Sequence, residues 1–502
     1  MSPSPPPLTR RLKIAFSIGS TAESIVITST GGLILLFYNQ VRGDSPALIG
    51  AVLSVGLVLN AIVDPLIGSW SDRTRSSLGR RHPFMFASIL PVSLAFYAVF
   101  NPPTGLGQTG EMVWLGLSNL ILLQSMSLFH TPHLALGGEL SDNYLERSNV
   151  MNYNTFFLWF GDTVSWLASF SLFFVASPRF PNGSLDPSRW PTFSASIAVV
   201  LVVLMLSSTW FTRSRIPFLP QPRPETPRFG PGEFVRDVGR ALSNRSYVDL
   251  LIGYLFLSLM SGVRASLWLY TATFFWKLTN GDISYFVIGS LVGYVFAANV
   301  VSRLHKRFDK RWTGAAALLT YCIGPALPLA LGYFGVLRPE TPGLLAILIA
   351  FSTLQHAPYS IVTTTINSAL ADMADENELK FGVRQEGILY STRTFFAKVD
   401  QALGTVVAGW VLTMIAFPSK AVPGQVDHAA LMGLAGAFIL STVPGLVAVY
   451  FYGRLTINRR SYELTAAALK RQRAEADALR DQLPPFDAAP IAPTEGGAVL
   501  PV

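Results

Sequence analysis

Residues Val63–Met85 read VDPLIGSWSDRTRSSLGRRHPFM. The first part closes an apolar run that begins near residue 47, and a bilayer is crossed by about 20 predominantly apolar residues. The second part is a tight polar turn holding Asp72, Arg73, Arg75, Arg80 and Arg81, with Gly79 among them, before a second apolar run begins. Such a turn fixes topology and can form ion pairs between helices. Inside the apolar part stands Asp64, next to Pro65. An ionised side chain at the centre of a membrane helix costs about 2.5–3.5 kcal/mol on insertion scales, so a carboxylate kept there calls for a partner or a use.

The same alternation fills the chain. Of 502 residues half are hydrophobic and 14% are charged, with mean hydropathy +0.40, too apolar for a soluble two-domain protein. Apolar runs between loop signals predict twelve spans near 14–38, 47–70, 83–100, 112–136, 155–176, 193–211, 247–275, 286–301, 312–337, 343–367, 388–417 and 429–452. The first run follows basic residues but shows no clear cleavage site, so it reads as a retained helix. The single Cys322 excludes a disulfide framework and a cysteine metal site.

The net charge of +8 is explained by topology rather than by nucleic acid. Connections after odd-numbered spans hold at most two basic residues each: Arg42, Arg179, Arg189, Lys277, Arg338 and Lys420. The other connections hold Arg73 to Arg81, then Arg213 to Arg245, then Arg303 to Arg311. Positive residues stay inside, so both termini are expected in the cytoplasm and the protein in the cell inner (plasma) membrane.

The Pro- and Arg-rich segment 213–245 divides six spans from six, with FVRDVGRAL inside it readable as a short surface helix. The expected organisation is a bundle over 1–213, a cytoplasmic loop over 214–245, a second bundle over 246–453, and a tail over 454–502 that is helical and then disordered. The halves repeat each other. Span four carries SLFHTPHLAL and then GGELSD; span ten carries TLQHAPYSIV and then, after TTTIN, SALADMAD. SDRTRSSLGRR follows span two as SRLHKRFDKR follows span eight. Two homologous six-helix halves place such pairs in register.

Polar residues within spans are the candidates for chemistry. Asn60 lies one turn before Asp64 on the same helix face. Together they offer oxygen ligands to a small cation, or Asp64 alone takes up a proton; the bland reading is an end cap. Span eleven, EGILYSTRTFFAKVDQALGTVVAGW, keeps Arg393, Lys398 and Asp400 in an apolar context. A buried lysine needs a carboxylate, and Asp64 supplies it if spans two and eleven line one cavity. Glu23, Ser24, Ser127, His130, Asp162, Arg264 and His356 are the other intramembrane polar groups. Tyr38, Phe156, Trp159, Trp166, Trp268 and Tyr270 suit a sugar ring, although aromatic residues in membrane helices mostly face lipid or pack. No HExxH, P-loop or G-x-S-x-G motif is present, so the chain does not read as an enzyme.

VDPLIGSWSDRTRSSLGRRHPFM, together with ALADMADENELKFGVRQEGILYSTRTFFAKV (Ala369–Val399), resembles the glycoside-pentoside-hexuronide:cation symporter family, melibiose permease-like members of the major facilitator superfamily. The resemblance covers all twelve spans. It implies two six-helix bundles around one cavity, alternating access, a small-molecule substrate such as a sugar, and a coupling H+ or Na+. It places Asp64 and Lys398 at the cation site and Thr394 on the sugar side. Asn60 replaces a second cation-site aspartate, Val63 an asparagine and Ser127 a threonine, which weakens a sodium site and favours a proton. On the sugar side His130 replaces an aspartate, Leu134 a tryptophan and Thr155 an arginine. An ungapped match puts Ser24 where the other sugar aspartate belongs, with Glu23 beside it. Cation-coupling candidates are therefore Asp64, Asn60, Ser127 and Lys398; substrate candidates are Glu23, Ser24, His130, Thr155, Arg393, Thr394 and Lys398. Substrate is expected between spans one, four, five, seven, ten and eleven, in a monomer embedded in the lipid bilayer, with no other cofactor. A uniporter or exporter of the same fold, or a membrane sensor signalling through the tail, are the rival readings.

Overall fold

The computed structural model describes residues 8–141, 144–219, 239, 242–381, 386–455, 464–465, 467–469 and 471–472. Among these, eleven helical segments are long and apolar enough to cross a membrane: α1 (Arg10–Arg42), α2 (Pro46–Arg73), α3 (His82–Val99), α4 (Gln108–Glu139), α5 (Asn149–Phe173), α6 (Pro187–Phe218), α7 (Arg245–Phe275), α8 (Asn280–His305), α9 (Arg307–Tyr333), α10 (Leu344–Lys380) and α12 (His428–Gly453). The twelfth, α11 (Glu386–Met414), carries charges in its first half and an apolar stretch over Ala402–Met414. Each predicted span falls on one of these helices. FVRDVGRAL lies almost wholly outside the described residues, and the described residues of the charged tail are helical.

The connection between α8 and α9 differs from expectation. The sequence suggests a gap between residues 301 and 312, yet helical hydrogen bonding runs through Phe286–Ile323 with Asp309 (φ 65°, ψ 158°) off helical geometry. SRLHKRFDKR contains no Gly or Pro to stop a helix, so two helices meet at a one-residue corner. Asp is among the few residues that tolerate positive φ, and Asp309 Oδ1 accepts a hydrogen bond from the Lys310 amide at 2.6 Å.

Packing repeats with a period of six spans. α1 packs on α5 and α6, as α7 packs on α11 and α12; α3 packs on α4 and α6, while α8 and α9 pack on α10 and α12. α1 and α7 also both end in a π-helical turn, Phe37–Arg42 and Thr271–Phe275. The outward faces are apolar: Leu94, Val199, Val295 and Leu440 are each more than 60% exposed. Lipid is as apolar as these side chains, so association of the helices rests on close packing and buried polar bonds.

Arg264 of α7 shows such bonding. Its guanidinium donates to the carbonyls of Tyr321 (3.1 Å) and Cys322 (2.6 Å) and to the hydroxyls of Ser441 (3.1 Å) and Thr442 (2.8 Å). Pro325 has no N–H to offer the carbonyl one turn before it, which is that of Tyr321. The arginine thus satisfies backbone exposed where α9 breaks, and staples α7 to α9 and α12.

At the arginine-rich face, the bonds among the described residues run within each half. Arg80 and Arg81 both reach Glu139 at the end of α4 (2.8 and 2.7 Å), and Lys310 reaches Asp372 on α10 (2.6 Å). These pairs join the loops and helix ends that the sequence repeat matched. At the opposite face the bonds cross between halves. Tyr270 donates to Asn39 Oδ1 (2.9 Å), Gln40 donates to the Pro418 carbonyl (3.1 Å) and accepts from the Ala421 amide (2.9 Å), and Asn280 donates to the Phe174 carbonyl (2.9 Å). The molecule is closed on the face away from its arginines.

Candidate functional site

Two antiparallel helices, α2 and α11, carry the charged centre. Their crossing is set by small residues. A Cβ on Gly409 would lie 2.3 Å from the Pro46 carbonyl oxygen, and one on Gly50 2.8 Å from that of Thr405. Ser54 Oγ donates to the Ala402 carbonyl at 2.7 Å. Backbones approach this closely only where side chains are small. Further along the seam, toward the arginine-rich face, the register brings Lys398 against Asp64 and Asn60.

Lys398 Nζ donates to Asp64 Oδ2 and, at 2.5 Å, to Asn60 Oδ1. The Asn60 amide donates to Ser127 Oγ (2.7 Å) and to the Leu123 carbonyl (3.1 Å) on α4. All four predicted cation-coupling residues therefore form one chain of contacts, and it crosses between the halves. The second oxygen of Asp64, Oδ1, is buried and has no hydrogen-bond partner among the described residues. Pro65 leaves the carbonyl one turn earlier without its helical donor, so this part of α2 is rich in unspent acceptors. The chemistry available is exchange of the Lys398 ammonium for another small cation or a proton.

Beside this chain, His130 Nδ1 lies 2.8 Å from Glu23 Oε2. The ungapped match puts Ser24 at the acid position with Glu23 beside it; in the fold it is Glu23 that meets His130, while Ser24 is buried on the same helix. Lys398 lies close enough to act electrostatically on both Glu23 and His130, and Asp64 on His130. Thr155 is not drawn in: its hydroxyl bonds back to the Met151 carbonyl at 3.0 Å. Leu134 is exposed. Arg393 and Thr394 lie on α11, but their side chains, and that of Asp400, are outside the described residues.

A cavity of about 370 Å³ lies between the halves. Thr28, Asp162 and Trp166 stand on its first-half wall, and Trp268, Gln355 and His356 on the other. Among the described residues, α1, α5, α7 and α10 line it, together with α8, α9 and α12. Asp162 accepts a hydrogen bond from Thr28 (2.6 Å), and His356 Nδ1 lies 3.2 Å from the Tyr294 hydroxyl. The sequence named Asp162 and His356 as polar groups but gave no sign that they face each other across one space.

A family model described as MFS/sugar transport protein matches residues 15–459. The chain belongs to this family. Among relatives of the transporter, the putative glycoside/cation symporter YagG of Escherichia coli (strain K12) is 24% identical over 469 residues, covering 92% of this chain and 94% of that protein. The inner membrane symporter YicJ of the same organism is 23% identical over 471 residues, with 92% and 94% coverage. A crystal structure of a bacterial homologue of the human lysosomal transporter Spinster, inward-facing and unoccupied, superposes with a TM-score of 0.61 at 13% identity, covering 90% of this chain and 96% of that one. The fold is that of the major facilitator superfamily, and the transporter is a polytopic secondary transporter, not an enzyme.

Proposed function

We propose that the transporter is a proton-coupled symporter of a sugar or glycoside, working by alternating access as a monomer in the inner membrane with both termini in the cytoplasm. The observation that carries this reading is the Lys398–Asp64 contact, the ion pair that ties the two halves together within the membrane. Charged Asp64 holds Lys398 at the seam. When Asp64 takes a proton the attraction is lost and the halves are released. Opposite charges about 4 Å apart attract by about 4 kcal/mol at an effective dielectric of about 20. Moving a two-state balance from 1:99 to 99:1 takes about 5.5 kcal/mol. One protonation is thus of the size needed to shift a conformational equilibrium.

A proton is favoured over sodium because the ammonium already occupies Asn60 Oδ1 and Asp64 Oδ2, oxygens that a sodium ion would require. The arginine-rich loops support a cytoplasmic position for both termini, with the closed face then pointing outward. Glu23, paired with His130, stands about 7.5 Å along α1 from the cavity wall at Thr28 at 1.5 Å per residue. The names of the relatives, a glycoside/cation symporter and an inner membrane symporter, support the substrate class and the location.

The test uses proteoliposomes and a radiolabelled glycoside panel. An inward proton gradient is expected to drive accumulation in the wild type, and Asp64→Asn to reduce it to equilibration. Accumulation by the variant equal to that of the wild type would remove Asp64 from coupling, and accumulation driven by sodium alone would replace the proton.

A further inference from the structure

The geometry points to a binding site for a neutral glycoside in the cavity between Asp162 and Trp268, separate from the Glu23–His130 pair. This rests on the reading of the chain as a glycoside transporter and specifies where, and in what charge state, the solute is held.

The cavity draws its walls from both halves, as a site must if it is to be exposed first to one face and then to the other. Its volume, about 370 Å³, lies within the range of about 300–1,000 Å³ usual for small-molecule sites. Asp162 is half-buried on α5, and Thr28 engages only Oδ1. An ionised carboxylate accepts at both oxygens and donates at neither. Oδ2 therefore suits a ligand rich in O–H donors, such as neighbouring hydroxyls on a sugar ring. Gln355 on the far wall adds an amide that both donates and accepts.

The aromatic groups add shape. Trp166 of α5 and Trp268 of α7 meet edge to face, with centroids 5.2 Å apart, and both line the cavity. Indoles in this setting present apolar planes and polar N–H edges, which fits a pyranoside with its C–H face and hydroxyl rim.

Charge separates neutral from anionic solutes. Among the described residues at the cavity wall the arginine is Arg264, and its guanidinium already donates to two carbonyls and two hydroxyls at the broken α9 and α12. A uronide carboxylate would therefore face the Asp162 carboxylate while the arginine is held elsewhere. Like charges in a partly desolvated site repel. A neutral glycoside meets no such penalty.

The experiment is equilibrium dialysis of the purified full-length chain against 4-nitrophenyl glycosides of glucose, galactose and xylose, read by nitrophenyl absorbance, with 4-nitrophenyl glucuronide as the anionic arm. At least one neutral glycoside should bind more tightly than the glucuronide. Asp162→Asn should weaken it about tenfold or more, the loss of a charge-assisted hydrogen bond. Gln355→Ala, with folding checked by thermal melting, carries the same test if the aspartate variant fails to fold. Affinity lost in Glu23→Gln but retained in Asp162→Asn and Gln355→Ala overturns the site and leaves glycoside transport standing. Tighter binding of the glucuronide overturns the charge class. Absence of binding by every glycoside overturns both the site and the glycoside reading of function.

Discussion

At the scale of single residues, the sequence exposed the intramembrane ion pair because hydrocarbon does not tolerate an unaccompanied charge: Asp64 and Lys398 each called for a partner, and each is the other's. Asn60 and Ser127 followed from helical spacing and from resemblance, and the fold joins them. What the sequence did not disclose was pairing among weaker signals. Glu23 and His130 were named separately, and only the fold shows them 2.8 Å apart; Asp162 and Gln355 share a cavity through helices far apart in the chain. The pairing of Lys398 makes a prediction of sign. Lys398→Ala leaves Asp64 uncompensated, and breaking one member of such a pair harms more than removing both. Transport by Lys398→Ala should fall about tenfold or more, and the Asp64→Asn/Lys398→Ala double variant should melt above Lys398→Ala. If the double variant melts below the single one, the pairing account is wrong.

At the scale of helices, spans were legible because each is a long apolar run closed by charges, but their ends depart from the fold by several residues, and α10 runs on to Lys380 through charged residues where the sequence suggested an end at 367. SRLHKRFDKR looked like a connection, yet charged residues without Gly or Pro continue a helix at the membrane surface, so the break contracts to Asp309. The α2–α11 crossing was invisible, because it depends on which of many glycines meets a backbone. Gly409 does: a Cβ there lies 2.3 Å from the Pro46 oxygen, whereas one on Gly436 has its nearest neighbour at 3.9 Å. Overpacking of this kind costs about 1–3 kcal/mol. Gly409→Ala should therefore lower the melting temperature by several degrees, while Gly436→Ala leaves it unchanged or raises it. Equal effects from the two substitutions would show that the seam is not tight.

At the scale of the whole molecule, the closed face contains a titratable group in the loop between α1 and α2. Burial, and then the hydrogen bond and charge of Glu111, push the Asp44 carboxyl up to about 7, against the opposing pull of Arg42 and Lys420. A carboxyl raised in this way binds its proton more tightly in the closed form than in water, so its contribution to stability is full below the ordinary carboxylate range and disappears as pH climbs through about 7. The melting temperature should fall as pH rises across that window, and Asp44→Asn should flatten the slope; an unchanged slope would assign the dependence to another group. The position of the tight crossing on α2 also has a mechanical consequence. Ser54, bonded to Ala402, stands eight residues from Pro46 and nineteen from Arg73, which at 1.5 Å per residue gives arms of about 12 and 28 Å. A rod pivoting there magnifies motion more than twofold from its short end to its long one, so a slight parting of the loops at the closed face swings the arginine-bearing end through a far wider arc.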